Sequence, residues 1–579
     1  LREFLTLKEF FLKYKWRYLI GVIFLLTVDF LQLITPKILG RFADSYQSAS
    51  LTRTSLWQYA GLILLLALLI ALFRFCWRIY LTGTSRILEY WLREKLFNHL
   101  LIQDPAFYDQ HQTGDLMAHA TNDVQAVRMS FGMGAVMLVD ALVLSLSTLL
   151  VMILTIDPLL TLWALLPLPL MAVSSLIFGR MIHRRFLGVQ EAFSTLTERA
   201  QENISGIRVV KAFVQEQAEL NKFLAASDVY RQRQISLVGL QSLFFPLVQF
   251  ISALSFLLIL GLGGRAVILG QISLGDFVAF NSYLGMLTWP MMAFGWLINL
   301  IQRGTASMHR LNVLFQAQPR IVDDNPLPVE KLAGRIVAQD LTFSFDQRSG
   351  NTLEDLSFDL PAGQTLGLVG QVGSGKSTLV NLLLRLYEPP QDCIFLDGIE
   401  IHRLPLLTLR RNIGYVPQDS FLFSDTLEAN IAFSGEYSAE EIKRAAAAAG
   451  LTRDLETLPL GLKTLVGERG VTLSGGQKQR VALARALIKD PPVLILDDSL
   501  SAVDTRTERE ILGNFHSLRR DKTNIIISHR ISAVENANLI LVLENGRVVE
   551  RGAHRELLEL DGLYARLHRR QQLEAALDR

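Results

Sequence analysis

The clearest chemistry in the chain lies in Gly370-Gln371-Val372-Gly373-Ser374-Gly375-Lys376-Ser377-Thr378. Glycines at 370, 373 and 375 let backbone N–H groups wrap phosphate oxygens. Lys376 reaches the β and γ oxygens, and the Ser377 hydroxyl is a ligand for Mg²⁺. An apolar stretch at 365–369 precedes this loop and a helical pattern at 379–386 follows it. The motif therefore stands in the strand, loop and helix context its mechanism needs, with a helix N-terminus favouring the anion. Val493-Leu494-Ile495-Leu496-Asp497 reads as a buried strand that delivers one carboxylate to its C-terminal end, beside the phosphate loop, where it holds the metal's water shell. Together these residues predict ATP or GTP with Mg²⁺.

Positioning them takes an α/β domain, predicted from Arg335 onward (335–579). It follows a polar, proline-bearing linker at 317–334 that contains Pro319, Asp323, Asp324, Pro326 and Pro328. The preceding 316 residues have another character. Half of the 579 residues are hydrophobic and 19% are charged, and the apolar ones gather in runs before position 303. Segments 57–73, 141–156, 158–179, 235–264 and 277–302 contain no Asp, Glu, Lys or Arg, and 18–36 contains only Asp29. Each is near or above the ~17–25 residues that cross a bilayer as a helix, so six spans are expected. Segment 18–36 lacks a small-residue cleavage site and reads as a retained span.

Charge gives the orientation. Arg2, Lys8, Lys13, Lys15 and Arg17 precede the first span, and Lys and Arg crowd the long second and fourth connections, which places the N-terminus and those connections in the cytoplasm. Residues 180–234 contain no proline and keep helical apolar spacing, so the spans continue as helices into the cytoplasm. A net charge of +2 argues against a nucleic-acid partner, and two cysteines, Cys76 and Cys393, exclude a disulfide scaffold. The expected fold class is multidomain: an all-α six-helix transmembrane domain (1–316) followed by an α/β P-loop nucleotide-binding domain.

Leu473-Ser474-Gly475-Gly476-Gln477 lies shortly before the Asp497 strand. With it the chain resembles, over essentially its whole length, the ATP-binding cassette (ABC) exporters. The resemblance implies that Phe345 stacks on adenine, that Gln418 of Tyr415-Val416-Pro417-Gln418 touches Mg²⁺, and that His529 is the switch histidine. It makes Glu468 part of an exporter loop and Asp504 of Ser501-Ala502-Val503-Asp504 part of the D-loop. It also implies that Ser474 caps the γ-phosphate held by a second cassette, so that this chain is a half-transporter that dimerises. Residues 108–116 with 121–123, and 206–213 with Glu216, resemble the two intracellular loops. Each residue has a plainer alternative: Phe345 as core packing, Gln418 and His529 as ordinary surface or core side chains, Gly114 and Gly206 as helix caps.

One departure stands out. Where the family usually has glutamate as the base that polarises water, this chain has Asp498, one methylene and about 1 Å shorter, a displacement that can cost ~10²-fold in rate. The chain thereby resembles the degenerate-site member of bacterial heterodimeric multidrug exporters, with a partner that carries the glutamate. The implied activity is ATP-driven export of hydrophobic or amphipathic compounds across the cytoplasmic membrane, with a lipid or lipopeptide flippase, or an ATP-gated channel or regulator, as alternatives. Asp29, Asp140, Gln249, Asn281, Asn299 and the aromatics Phe244, Phe245, Phe280, Trp289 and Trp296 are candidates to line a substrate cavity or to pack helices. Arg74 and Arg78 read as snorkelling side chains.

Overall fold

A computed structural model describes residues 2–345, 352–467, 470 and 473–577. The chain divides into two compact units: Leu1–Leu101 with Gln112–Ala317, and Ile102–His111 with Gln318–Arg579.

The first unit is built from six helical rods among the described residues. Arg2–Gln47, Arg53–Leu101, Thr113–Thr155 and Glu216–Ile268 are long and apolar enough to cross a membrane. The other two, Pro158–Leu165 continued by Leu168–Ser205, and Leu274–Gln316, carry the fourth and sixth expected spans. Polar residues at the connections start the rods. Thr52 accepts the N–H of Ser55 at 3.1 Å, Asp157 that of Leu160 at 2.6 Å, and Ser273 that of Asp276 at 2.9 Å. Close packing of the first and sixth rods depends on small residues. A Cβ at Gly275 would lie 2.2 Å from the carbonyl oxygen of Gly40, and the Asp44 carboxylate accepts the Gly275 N–H at 2.6 Å and the Ser273 hydroxyl at 3.0 Å. Tyr283, wholly buried, donates to the Leu33 carbonyl at 2.7 Å.

The proline-free segment is helical as its pattern predicts, with two turns inside it. Leu168–Ser205 ends at Gly206, a short helix Ile207–Ala212 follows, and Val214 at a φ of 53° lets Glu216–Leu258 begin. The first intracellular connection is split: helix Pro105–Gln110 belongs to the second unit and helix Thr113–Ala118 to the first.

In the second unit the strands are β1 (Ile336–Phe343), β2 (Leu353–Leu360), β3 (Thr365–Gly370), β4 (Ile394–Leu396), β5 (Ile399–Glu400), β6 (Ile413–Val416), β7 (Val493–Asp497), β8 (Thr523–Ile527), β9 (Leu539–Glu544) and β10 (Arg547–Gly552). They form a four-stranded sheet, β2-β1-β4-β5, and a six-stranded sheet, β10-β9-β3-β8-β7-β6. β6, β7, β8, β3 and β9 run parallel, and β10 closes the edge antiparallel to β9. β3, β7 and β8 are buried along their whole length, which is why they read as continuous apolar runs rather than as alternation. Parallel strands bring their carboxyl ends to one side, so the loops after β3, β6, β7 and β8 converge there.

Candidate functional site

β3 ends at Gly370, where a Cβ would lie 2.3 Å from the Leu543 carbonyl oxygen. The chain then turns through Gly373 and Gly375, at φ of 82° and 96°, into the helix Lys376–Leu383. Gly375 is doubly constrained, since a Cβ there would also meet Leu353 Cδ2 at 2.6 Å. Ser374, Lys376 and Thr378 are buried, and Lys376 Nζ donates to the carbonyls of Gly370 at 2.9 Å and Gln371 at 2.7 Å. The ammonium is thus held across the mouth of the loop, beside the positive end of the helix. Burial pulls the Lys376 ammonium below its ordinary range, while the Asp497 and Asp498 carboxylates favour its charged form.

β8 separates β3 from β7, and Asp497 is the last residue of β7, level with Ile527. Its carboxyl is buried and hydrogen-bonded to the Ser377 side chain. Burial pushes it above the usual carboxylate range, the Ser377 bond opposes this, Asp498 adds to it, and Lys376 and His529 oppose it. A hydroxyl and a carboxylate side by side are hard oxygen donors of the kind Mg²⁺ takes. Asp498 follows in the left-handed region, at a φ of 45°. Its N–H donates to the Ile527 carbonyl at 2.9 Å, and its Oδ1 lies 3.5 Å from the His529 backbone nitrogen. Lys376, Ser377, Asp497, Asp498 and His529 are therefore brought together.

Gln418 is exposed, two residues past the end of β6. The register that pairs Val416 with Leu496 sets it just beyond the level of Asp497. Phe345 is 51% exposed, with its ring edge-on to Phe343 at 5.1 Å and to Tyr387 at 4.9 Å between centroids. The core-packing alternative does not hold for a ring so open.

The signature residues gather at the start of another helix. Ser474 caps the helix Gly475–Leu487: its N–H donates to Gln477 Oε1 at 2.9 Å and its hydroxyl accepts the Gln477 N–H at 3.3 Å. Gln477 also donates to Asp454 at 3.0 Å. A Cβ at Gly476 would lie 2.8 Å from the carbonyl of Ala502 in the D-loop. Asp504 caps the helix Thr505–Leu518 by accepting the N–H groups of Arg506 at 3.2 Å and Thr507 at 3.0 Å. Glu468 lies outside the described residues.

Two residues that no motif singles out hold these loops in place. The Gln571 amide, on the helix Leu563–Leu577, donates to the His529 carbonyl at 2.6 Å and accepts the Ile531 N–H at 2.9 Å, clamping the backbone on both sides of Arg530. Gln479, buried on the signature helix, accepts the Ala502 N–H at 3.0 Å and donates to the Ser501 hydroxyl at 3.2 Å. Neither carries a sequence signal, because an isolated glutamine looks like helix surface.

Among the membrane candidates, Asp29 is buried, and one oxygen of Asp29 and one of Asp140 have no hydrogen-bond partner among the described residues. Asp140 opens a π turn, Asp140–Leu144. Phe280 is wholly buried in the apolar core and Phe244 packs on Phe178 at 5.6 Å, so both serve packing. Trp289 and Trp296 are exposed and edge-on at 6.4 Å, Gln249 and Asn299 are exposed, and Asn281 is half-buried. The Phe245 side chain lies outside the described residues. Arg74 and Arg78 are exposed, as snorkelling side chains are, and Arg78 lies 5.7 Å from the Trp77 ring.

Comparison with known proteins agrees with this architecture. Residues 18–291 match the ABC transporter transmembrane region and residues 353–501 match the ABC transporter family. The probable multidrug resistance ABC transporter ATP-binding/permease protein YheI of Bacillus subtilis is 42% identical over 98% of this chain and 97% of that protein. The multidrug resistance-like ATP-binding protein MdlA of Escherichia coli is 38% identical over 100% of this chain and 98% of its own. A bacterial Atm1-family ABC exporter solved with ATP bound superposes with a TM-score of 0.77 at 27% identity, covering 96% of this chain and 98% of that one. A helical multi-pass membrane region fused to an α/β ATPase, matched end to end by these relatives, makes the chain a member of the ABC transporters, an exporter that couples ATP hydrolysis to transport.

Proposed function

We propose that the chain exports hydrophobic or amphipathic compounds across the cytoplasmic membrane as one subunit of a heterodimer, and that its own ATP site is the degenerate one. Its transmembrane domain is 1–316, its linker 317–334 and its nucleotide-binding domain 335–579, with the N-terminus and the nucleotide-binding domain in the cytoplasm. The observation that carries the reading is Asp498. It shares a site with Lys376, Asp497 and His529, but its carboxylate sits one methylene nearer the backbone than a glutamate's, in a backbone conformation tied to β8.

We assign the roles from the family resemblance, and the geometry described above supports the assignment. The loop Gly370, Gly373, Ser374, Gly375, Lys376, Ser377 and Thr378 binds the phosphates. Ser377, Asp497 and Gln418 would hold Mg²⁺, which would supply charge neutralisation on the phosphates. Phe345 offers its open face to adenine. Asp498 and His529 flank the γ-phosphate position. Ser474, Gly475, Gly476, Gln477 and Asp504 complete the site of the partner. ATP bound between the two cassettes closes them, and hydrolysis at the competent site resets the cycle.

Two measurements test this. ATP-dependent dye accumulation in inverted vesicles is expected only when a second half-transporter is co-expressed. Turnover by the purified single chain that equals the co-expressed pair sinks the heterodimer. Headgroup-dependent stimulation of the ATPase without dye uptake turns the reading to a lipid flippase, and current without accumulation turns it to a channel.

A further inference from the structure

The segment Ile102–His111 continues on both sides into the membrane unit, yet it belongs to the ATP-binding unit. Two side chains fasten it there. Asp104, buried, accepts the Phe107 N–H at 3.0 Å, which starts the helix Pro105–Gln110, and its other oxygen accepts the Arg320 N–H at 2.8 Å. At the far end of the same helix, the Tyr387 hydroxyl donates to Asp109 Oδ2 at 2.5 Å across 278 positions of sequence. The ring of Tyr387 is also the one that stands edge-on to Phe345, at 4.9 Å and 85°. One rigid side chain thus touches the exposed aromatic platform with its ring and the helix with its hydroxyl, and no rotatable bond lies between the two contacts. Burial first, and the Asp109 bond next, push the Tyr387 phenol up to about 12, so it keeps the proton it donates.

We propose that Tyr387 is a positioning residue that couples a nucleotide base stacked on Phe345 to the helix Pro105–Gln110, and through its flanking chain to the membrane unit. This rests on the reading of Phe345 as the adenine platform. A base on the open face of Phe345 fixes the plane of that ring. The edge contact then fixes Tyr387, and the hydroxyl holds Asp109. By linkage, a transported compound that displaces the helix changes ATP affinity by the same factor.

The test uses the full-length transporter in lipid nanodiscs, with hydrogen exchange of residues 102–111 read in ATP, in inorganic tripolyphosphate and without either. In the unaltered chain ATP slows exchange and tripolyphosphate, which has no base, does not. Tyr387→Phe keeps the ring and loses the hydrogen bond, and Asp109→Ala removes the acceptor. Each is expected to abolish the ATP-specific protection and to lower substrate stimulation of the ATPase by about fivefold or more, with ATP affinity changed by less than about twofold. Asp109→Asn keeps a carbonyl acceptor and recovers part of both. A merely structural role lowers protection equally with and without ATP, and that result overturns the proposal, as does unchanged protection in Tyr387→Phe. Phe345→Ala separates the two layers. If it leaves ATP affinity unchanged, the adenine platform fails and the coupling with it. If it weakens ATP while Tyr387→Phe behaves as the unaltered chain, only the coupling fails.

Discussion

The ATP-binding unit contains two glycine-rich helix starts that the sequence assigns to the same ligand, and they are built in opposite ways. At the first, Gly375 stands before Lys376–Leu383 with no side chain to give, and the nearest cation, Lys376, lies over the loop carbonyls. At the second, Ser474 and Gln477 satisfy each other in a reciprocal cap before Gly475–Leu487. A helix whose first N–H groups lack a side-chain acceptor is prepared for an anion within its own chain. One that caps itself has to exchange that cap to meet a phosphate. The contrast matches a division of labour in which the first start holds this chain's nucleotide and the second serves another's.

Lys376→Ala is the sharpest break of that comparison. Loss of a charged hydrogen-bond donor should weaken ATP binding to the chain by up to ~10²-fold, whereas Ser474→Ala should leave it unchanged. Equal losses in a nucleotide titration would erase the distinction. Next in size, Asp498→Glu should raise ATP turnover at this chain's own site by on the order of 10-fold, read in a co-expressed pair whose partner site is inactivated, since it restores the missing methylene of reach. No gain in steady-state phosphate release would move the defect away from Asp498. The left-handed backbone at 498 makes glutamate cost about 1 kcal/mol more there, visible as a slightly lower melting temperature. Gln571→Ala, in the same background with the partner site inactivated, should lower kcat about 5-fold at unchanged KM, because two hydrogen bonds at about 1 kcal/mol each no longer hold the loop around His529. A rise in KM alone would mean that the clamp acts on nucleotide binding. The smallest effect is on stability: Ser474→Ala should cost about 1 kcal/mol of cap energy in the chain by itself. A loss of ATPase in the assembled pair without that stability change would assign Ser474 to the partner's nucleotide only.

Some of this was legible from residue order. The phosphate loop, the Asp497 strand and the signature are contiguous stretches, so their chemistry and local conformation are written together. The long helical spans were equally plain, because a bilayer demands uninterrupted apolar runs. Gln571, Gln479 and Tyr387 were not. Each acts through one or two hydrogen bonds to a backbone or side chain far along the chain, and a lone glutamine on a helical pattern, or a tyrosine just past the end of one, has no spacing to betray it. Phe280 is a case that sequence left open between two roles. Its aromatic type suits a cavity wall as well as a core, and only its burial against Tyr283 and Leu284 assigned it to packing.

The chain's composition and motifs, with the family resemblance those motifs carry, determined that this is a membrane exporter with one ATP-binding cassette and a shortened carboxylate after Asp497. Local sequence sufficed for that because hydrophobic runs, glycine turns and phosphate chemistry act over a few neighbouring residues. Tertiary structure alone decided that Asp498 lies in a left-handed turn against β8, and that ten residues from within the membrane half of the sequence, Ile102–His111, fold with the ATPase. Those are matters of which distant segments meet, and hydrogen bonds at about 3 Å between groups tens to hundreds of positions apart leave no periodicity in the chain that forms them.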